Sequence, residues 1–226
     1  IWMDGAMIDP AEATASVMSH VVHYGSGFFE GIRAYKTDKG AAIFRLDEHM
    51  ARLYRSTRMY YVEIPYDCQT LTQAVIDTVK ANSLDSCYIR PFVFLGTGWS
   101  ALMPDSNLPI HTAISCWNLP SPSDNPKPIA AKVASYRRVS PSMTPMQAKA
   151  ASNYMNSMLL KHEAKHNGFD EAIALDAQGR VSEASASNIF FVWGNEIHTP
   201  SLDCSILNGI TRQSVIEFAR DLGYKV

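Results

Sequence analysis

The spacing of apolar residues predicts two amphipathic helices in the first half of the chain. One begins with Asp47 as its cap and runs through Tyr60. The other covers residues 71–82. Its apolar side chains recur at the spacing of one helical face, namely at Leu71, Val75, Ile76 and Val79.

Runs of apolar and β-branched residues predict strands beside these helices. Residues 41–45 are expected to form a short strand, and residues 87–95 and 111–117 are expected to form longer, buried strands. A mixture of helices and strands in this order favours an α+β fold built from packed layers.

Residues 118–128 separate the first half of the chain from the second. The segment contains four prolines, which exclude a regular helix or a central strand. We interpret it as a linker. The chain is therefore expected to have an N-terminal α/β domain over residues 1–117 and a C-terminal domain over residues 129–226.

Both kinds of periodicity occur in the second half. Strands are predicted at residues 130–136, 171–176, 188–193 and 196–198. Helices are predicted at residues 153–166 and 210–223. Residues 176–179 are typical of a hairpin turn. Residues 224–226 would begin a further strand, so we expect the C-terminal domain to be incomplete at its C-terminal end.

Composition and charge argue against several classes of function. The 226 residues have a net charge of −2 and no basic run, so nucleic-acid binding has no electrostatic support. No apolar run is long enough to span a membrane. The four cysteines are scattered and lack the spacing of a metal site, which favours a reduced, cytoplasmic setting and no bound metal.

Lys149 is the most informative residue because of its neighbours. The side chains of Ala148, Ala150, Ala151 and Ser152 are small and leave room for a bulky planar ligand. A lysine that attacks a carbonyl group must be partly desolvated to lose its proton. The preceding Met143 and Met146 fit such an apolar setting. The alternative is an ordinary solvated lysine on the surface.

Two further features complete a candidate site for pyridoxal phosphate (PLP). Glu183 ends a predicted strand before a run of small residues, where a carboxylate can face the protonated pyridine nitrogen. Gly209, Ile210 and Thr211 form a turn that opens a helix, which suits a phosphate group. The alternatives are an exposed glutamate at a strand end and a threonine cap that binds no ligand.

Tyr154 and Arg52 extend this candidate site. The hydroxyl of Tyr154, near the start of a predicted helix, could bond the ring oxygen of the cofactor. Arg52, on the first predicted helix, could form charge-assisted bonds with the phosphate. The alternatives are a tyrosine of the core and an arginine on the helix surface.

Four segments resemble the branched-chain amino acid aminotransferases, which are class IV aminotransferases and fold type IV PLP enzymes. The segments, at residues 23–33, 44–53, 88–91 and 207–212, read His-Tyr-Gly-Ser-Gly-Phe-Phe-Glu-Gly-Ile-Arg, Phe-Arg-Leu-Asp-Glu-His-Met-Ala-Arg-Leu, Tyr-Ile-Arg-Pro and Leu-Asn-Gly-Ile-Thr-Arg. The resemblance covers essentially the whole chain. It implies a two-domain α+β fold similar to that of D-amino acid aminotransferase.

The resemblance implies a role for each matching residue at the cofactor. Lys149 would bond PLP covalently and transfer the proton. Tyr154 would bond the phenolic oxygen, and Glu183 would bond the pyridine nitrogen. The phosphate would be held by Arg52, Ile210 and Thr211.

The resemblance also implies a substrate pocket. Its walls would be formed by Phe29, Tyr88 and Trp117. Gly31 would let the substrate approach. Arg90 would bind the second carboxylate of glutamate, so that one pocket takes both an aliphatic and an acidic side chain. Tyr24 would reach the active site of a neighbouring subunit, which implies a homodimer or a larger oligomer of dimers.

The implied reaction is transamination between leucine, isoleucine or valine and 2-oxoglutarate, as in branched-chain amino acid biosynthesis. Two departures bear on it. The family continues beyond residue 226, with another threonine-containing turn at the phosphate and substrate carboxylate. In addition, residues 96–104 differ from the glycine-rich loop of the branched-chain enzymes.

Other functions stay open because a fold does not fix its chemistry. A D-amino acid aminotransferase, an amine transaminase and a PLP lyase share the fold. Residues 97–103 contain neither the arginine nor the histidine of the D-specific relatives, and residues 29–33 favour the branched-chain group over amine transaminases. A non-catalytic phosphate-binding protein would need the turn at residues 209–211 without Lys149 and Glu183.

Overall fold

The computed structural model describes residues 1–98, 102, 108–120 and 126–226. Their contacts form two compact units. Unit 1 comprises Ile1–Pro126 with Ala148–Ser152, and unit 2 comprises Lys127–Gln147 with Asn153–Val226. The change between the units at residues 126 and 127 falls inside the proline-rich segment. The five residues around Lys149 belong to unit 1, although the segments on both sides of them belong to unit 2.

A sheet lies at the centre of unit 1, and it has seven strands within the described residues. In chain order they are β1 (Trp2–Met3), β2 (Ala6–Met7), β3 (Gly27–Phe29), β4 (Ile32–Thr37), β5 (Gly40–Ile43), β6 (Cys87–Leu95) and β7 (Ile110–Trp117). Across the sheet the order is β2, β1, β7, β6, β4, β5. One edge of β6 pairs with β7, and its other edge pairs with β3 and then β4, all antiparallel.

The described residues of unit 1 include three helices, namely α1 (His20–Tyr24), α2 (Leu46–Arg58) and α3 (Cys68–Ala81). Both predicted amphipathic helices are confirmed, but the Asp47 cap is wrong. Arg45 occupies the N-cap position of α2 with φ of 49°, and Asp47 lies in the first turn, where its charge suits the helix dipole. The start of α3 precedes the predicted Leu71 because the side chain of Asp67 caps the helix by accepting the Thr70 N–H at 2.7 Å.

The hydrophobic core of unit 1 lies on one face of the sheet. Alternate residues of β6 are buried there with residues of the neighbouring strands and of α2 and α3. This core includes Ile32, Met50, Leu53, Leu71, Val75, Ile89, Val93 and Ile114. The intervening residues of β6, Tyr88, Arg90 and Phe92, point to the other face and are half-buried.

Unit 2 contains a three-stranded sheet of β8 (Ala131–Arg137), β9 (Glu171–Leu175) and β10 (Val181–Ala184). The parallel pair β8 and β9 is joined through α4 (Asn153–His166), as a parallel connection requires. Strand β10 pairs antiparallel with β9. The predicted turn between them is confirmed, because the N–H of Asp176 donates to the carbonyl of Arg180 at 2.9 Å.

The remaining elements of unit 2 are a hairpin of β11 (Phe191–Trp193) and β12 (Glu196–His198), followed by α5 (Ile210–Asp221). The strand predicted from residue 188 begins only at Phe191. Residue 188 itself is fixed differently, since the Nδ2 of Asn188 donates to the Leu207 carbonyl at 2.9 Å. The strand expected after α5 is confirmed in part by a parallel bridge between Glu196 and Lys225.

Helices that combine the length and the apolar composition needed to cross a membrane do not occur in the described parts of the chain. The loop at residues 96–104, whose sequence departs from the branched-chain pattern, lies largely outside the described residues.

Candidate active site

The backbone of Lys149 is held by two elements of unit 1. Its N–H donates to the Oγ of Ser56 on α2 at 2.9 Å. Its carbonyl accepts the N–H of Phe29, at the end of β3, at 3.1 Å. Lys149 therefore lies in a loop rather than on a helix.

The next two residues continue this attachment to β3. Ala150 forms an antiparallel bridge with Phe28, and the N–H of Ala151 donates to the carbonyl of Gly27 at 2.8 Å. Residues 149–151 thus run along β3 like a short additional strand. This arrangement explains why these few residues belong to unit 1.

The setting of Lys149 is partly apolar. Its Nζ lies 4.9 Å from the centroid of the Phe29 ring, and the side chain is half-buried, with Ala148 and Ala150 buried on either side. Met146 is buried as expected. Met143 is 75% exposed because it lies in a turn, where its N–H donates to the Ser140 carbonyl, so its predicted contribution to an apolar setting is wrong.

Arg52 is buried in unit 1, which excludes the alternative of a surface arginine. Its Nε and Nη2 donate to the two carboxylate oxygens of Glu30, each at 2.7 Å. The Nδ1 of His49 lies 2.7 Å from the Oε2 of the same carboxylate. Burial alone would raise the pKa of Glu30, but the bonds from Arg52 and His49 outweigh it and lower the pKa to about 2.

The cluster of Glu30, His49 and Arg52 was not predicted from the sequence. A signal was present, since His49 and Arg52 are three residues apart on one helix and therefore share a face. What the sequence could not reveal is which carboxylate they meet, because Glu30 lies on another element.

Four of the predicted substrate residues come together on the open face of the sheet. The guanidinium carbon of Arg90 lies 4.6 Å from the ring centroid of Phe29, 5.3 Å from that of Tyr88 and 5.9 Å from that of Trp117. Its Nη2 donates to the Tyr88 hydroxyl at 2.9 Å. Its Nε is buried and has no hydrogen-bond partner among the described residues, which suits an anionic ligand.

Gly31 determines where Tyr88 can lie. A Cβ atom at position 31 would clash with the Tyr88 hydroxyl and would come within 2.9 Å of its Cζ. The space beside Gly31 is therefore filled by the tyrosine that also bonds Arg90. This close contact, rather than backbone flexibility, is the physical reason for a glycine here.

Tyr24 lines a different part of unit 1 from the Arg90 cluster. It is 41% exposed at the end of α1, and its ring centroid lies 4.7 Å from that of His20. It borders a largely apolar cavity of about 460 Å³ together with Phe28, Tyr60 and Ala150.

Glu183 is a buried residue of unit 2, with only 4% of its surface exposed, so the alternative of an exposed strand-end glutamate is wrong. Its Oε1 accepts the Nη2 of Arg138 at 2.5 Å. Its Oε2 accepts the Nδ2 of Asn188 and the N–H of Leu207, both at 3.2 Å. The buried Arg138, which was not predicted from the sequence, is itself fixed by donating to the Oγ of Ser157 at 2.8 Å.

The first turn of α5 follows a glycine, which has no side chain to accept the N–H groups of the helix start. Gly209 is the N-cap residue, and no side-chain capping bond is made from it. Ile210 and Thr211 are the first two helical residues, so Thr211 does not cap the helix. N–H groups of a first turn point out of the helix end and favour an anion.

Tyr154 is half-buried as the second residue of α4 in unit 2.

In the described part of the chain, no group of three or more His, Cys, Asp or Glu side chains is placed to hold a metal ion.

Comparison with known proteins defines the family. The model of the family described as amino-transferase class IV matches residues 27–226. The chain belongs to the class IV aminotransferases. The branched-chain-amino-acid aminotransferase of Escherichia coli (strain K12) is 37% identical over 229 residues, covering 100% of this class IV chain and 74% of the relative.

Solved structures agree with this assignment. The crystal structure of the Escherichia coli branched-chain amino acid aminotransferase matches this class IV chain with a TM-score of 0.96 and 36% identity, covering 100% of it and 75% of the other. The branched-chain aminotransferase from Thermoproteus uzoniensis with norvaline matches with a TM-score of 0.94 and 40% identity, covering 99% and 75%. The α+β fold type IV expected from the sequence is confirmed. Similar structures contain pyridoxamine 5'-phosphate or PLP.

Proposed function

We propose that this chain is a PLP-dependent transaminase that exchanges the amino group between branched-chain L-amino acids and 2-oxoglutarate. One observation carries the proposal. Lys149 is fixed by its backbone beside Phe29, and the ring of Phe29 faces both the Lys149 ammonium and the Arg90 guanidinium. The amine that would react and the guanidinium that would bind an acidic side chain of the substrate therefore both contact the ring of Phe29.

The side chains fit PLP in each unit taken by itself. In unit 1, Lys149 would hold the cofactor covalently and the buried Arg52 would bond its phosphate. In unit 2, the phosphate would bond the N–H groups at Ile210 and Thr211, whose helix start carries no side-chain cap. Tyr154 and Glu183 would bond the ring. When bound, PLP supplies an electron sink that stabilises negative charge at the substrate α-carbon.

Glu183 is suited to its role by its charge. The guanidinium of Arg138 and the N–H groups of Asn188 and Leu207 all favour the ionised carboxylate. An ionised carboxylate keeps a facing ring nitrogen protonated, whereas a neutral one would not.

Lys149 would act as the base and then as the acid. After the amine of the amino acid has displaced it from the cofactor, the freed Nζ would take the proton from the α-carbon and deliver it to the cofactor carbon to which the Nζ had been bonded. The bonds to Ser56 and Phe29 hold the chain so that only the side chain needs to move.

One pocket can accept two kinds of side chain. Phe29, Tyr88 and Trp117 offer apolar surface to leucine, isoleucine or valine. The half-buried Arg90 would bond the second carboxylate of glutamate through its guanidinium. The aromatic rings within 6 Å of Arg90 stabilise its charge when the pocket holds an aliphatic group.

A homodimer, or a larger oligomer of dimers, is part of the same proposal. Apolar side chains are exposed at and before α1, namely Val17, Met18, Val22 and Tyr24. Exposed apolar patches of this kind are typical of interfaces.

A cytoplasmic location also stays a prediction, and the four free cysteines are in keeping with it.

The proposal is tested by a two-substrate assay with 2-oxoglutarate as acceptor. Leucine, isoleucine and valine are compared with D-alanine and a simple amine as donors. Lys149→Ala should abolish turnover together with the visible absorbance that borohydride reduces. Lys39→Ala, which changes an exposed lysine of unit 1, serves as the control. Normal turnover by Lys149→Ala would refute the proposal. Preference for the D-amino acid or the amine would move the chain to another branch of the family.

A further inference from the structure

Ser56 connects α2 to Lys149 through a single hydroxyl group. The residue is 0% exposed. Its Oγ donates to the carbonyl of Arg52 at 2.8 Å and accepts the N–H of Lys149 at 2.9 Å. Because the one hydroxyl proton is used for Arg52, the oxygen is left as an acceptor and matches the lysine N–H.

We propose that Ser56 is a positioning residue that fixes Lys149 relative to Arg52. The inference rests on the proposed function to the extent that Lys149 is the reacting amine. Ser56 contacts the lysine backbone and would touch neither the cofactor nor the substrate.

The two backbone bonds of Lys149 lead to the same buried cluster. On the N–H side, Ser56 joins it to the carbonyl of Arg52. On the carbonyl side, Phe29 precedes Glu30, whose carboxylate binds the Arg52 side chain. Lys149 and Arg52 are therefore connected twice, through hydrogen bonds that are all within unit 1.

This double connection has a consequence for cofactor binding. Lys149 is the proposed point of covalent attachment, and Arg52 is a proposed phosphate ligand. Fixing one against the other before binding lowers the cost of ordering the site. Loss of the Ser56 hydroxyl would leave the lysine N–H without this acceptor, and the backbone at Lys149 would become more mobile, whereas Ala151 would keep its bond to Gly27.

Amide hydrogen exchange in the cofactor-free protein tests the bond directly. In Ser56→Ala, the Lys149 amide should exchange at least about tenfold faster. The reason is that a buried N–H without an acceptor shifts the opening equilibrium of that amide by about tenfold or more. The Ala151 amide, bonded to Gly27, should stay protected. Thr57→Val is the matched control, because Thr57 is also buried and its hydroxyl donates to the carbonyl of Tyr54 on the same helix at 3.1 Å.

Binding of PLP tests the consequence. Its dissociation constant should rise about tenfold in Ser56→Ala and stay unchanged in Thr57→Val. Ser56→Cys, with a weaker acceptor of similar size, should fall between the wild type and Ser56→Ala in both measurements. This variant also keeps the test decisive if Ser56→Ala folds poorly.

Unchanged exchange at Lys149 in Ser56→Ala would overturn the proposal. Faster exchange with unchanged PLP affinity would show that the bond exists without positioning the lysine, and would also overturn it. Failure of the proposed function would look different. In that case Lys149→Ala would keep full activity, while the exchange result for Ser56→Ala would be unaffected.

Discussion

Glu30 and Arg52 form a bidentate ion pair inside unit 1. The Nε of Arg52 lies 2.7 Å from the Oε1 of Glu30, and the Nη2 lies 2.7 Å from the Oε2. Glu30 is 0% exposed, and His49 provides a third bond to it. Two donors of the arginine are thereby committed and its plane is fixed. The pair also attaches the segment between β3 and β4 to α2. Phe29 and Gly31 are the neighbours of Glu30 in this segment, so the ion pair fixes the backbone next to both of them.

Replacing Glu30 by glutamine should destabilise the protein strongly. The amide keeps the shape of the carboxylate but leaves the Arg52 charge buried without a counter-charge. We expect the free energy of unfolding to fall by about 3–5 kcal/mol in denaturant titrations. Glu48→Gln removes one partner of an exposed pair with Arg45 and should cost less than about 1 kcal/mol. An equal loss of unfolding free energy in the two variants would contradict the expectation that the buried pair is costlier to break than the exposed one.

The same carboxylate should remain ionised in strong acid. Burial raises the pKa of Glu30, but Arg52 and His49 together lower it from 4.5 to about 2. Because the pKa in the folded state is below that in the unfolded state, the stabilisation from Glu30 is complete above about pH 4.5 and is lost as the pH falls toward 2. Carboxyl carbon chemical shifts followed by NMR should give a midpoint near 2. A midpoint at 4.5 or above would be inconsistent with this ion pair.

The period of apolar residues predicted the helices and most strands because it reflects local geometry. The errors at helix ends have local causes too. Arg45 takes the N-cap position that was expected for Asp47, and Asp67 supplies a cap upstream of Leu71. A strand predicted from residue 188 was too long, since the side chain of Asn188 binds other segments of unit 2.

The contacts of the candidate site could not be derived in the same way. Lys149 and Ser56 are 93 residues apart, and Arg138 and Glu183 are 45 residues apart. No periodicity relates residues at such separations. The motifs indicated which residue types carry the chemistry, whereas only the fold reveals the side chains that hold them.

Gly31→Ala should displace Tyr88. The added Cβ would clash with the tyrosine hydroxyl, and overpacking of this kind costs about 1–3 kcal/mol of unfolding free energy. Tyr88→Phe removes the clashing oxygen, although the Cζ atom stays close. The double variant should therefore lose less stability than the sum of the two single variants. Simple additivity in denaturant titrations would show that the two residues do not meet.

Arg138→Met should damage unit 2 by leaving Glu183 as a buried charge without its guanidinium partner. We expect a loss of about 3–5 kcal/mol in the unfolding of the cofactor-free protein, and weaker PLP binding in the variant. Arg137→Met changes the exposed neighbour on β8 and should alter stability by about 0.5 kcal/mol at most. Similar effects of the two replacements would rule out a special role for Arg138.

Arg90→Leu should separate the two kinds of amino donor. Glutamate loses the partner of its second carboxylate, which costs about 2 kcal/mol or more and should lower kcat/KM by at least about 30-fold. Leucine needs no charge, so its kcat/KM should change by less than about tenfold. Tyr88→Phe removes a hydrogen-bond partner of Arg90 while keeping the ring and the charge, and it should affect both donors modestly and alike. Both donors are measured with an acceptor of the other class at saturating concentration. An equal loss on both donors in Arg90→Leu would assign Arg90 to the α-carboxylate or to the fold instead.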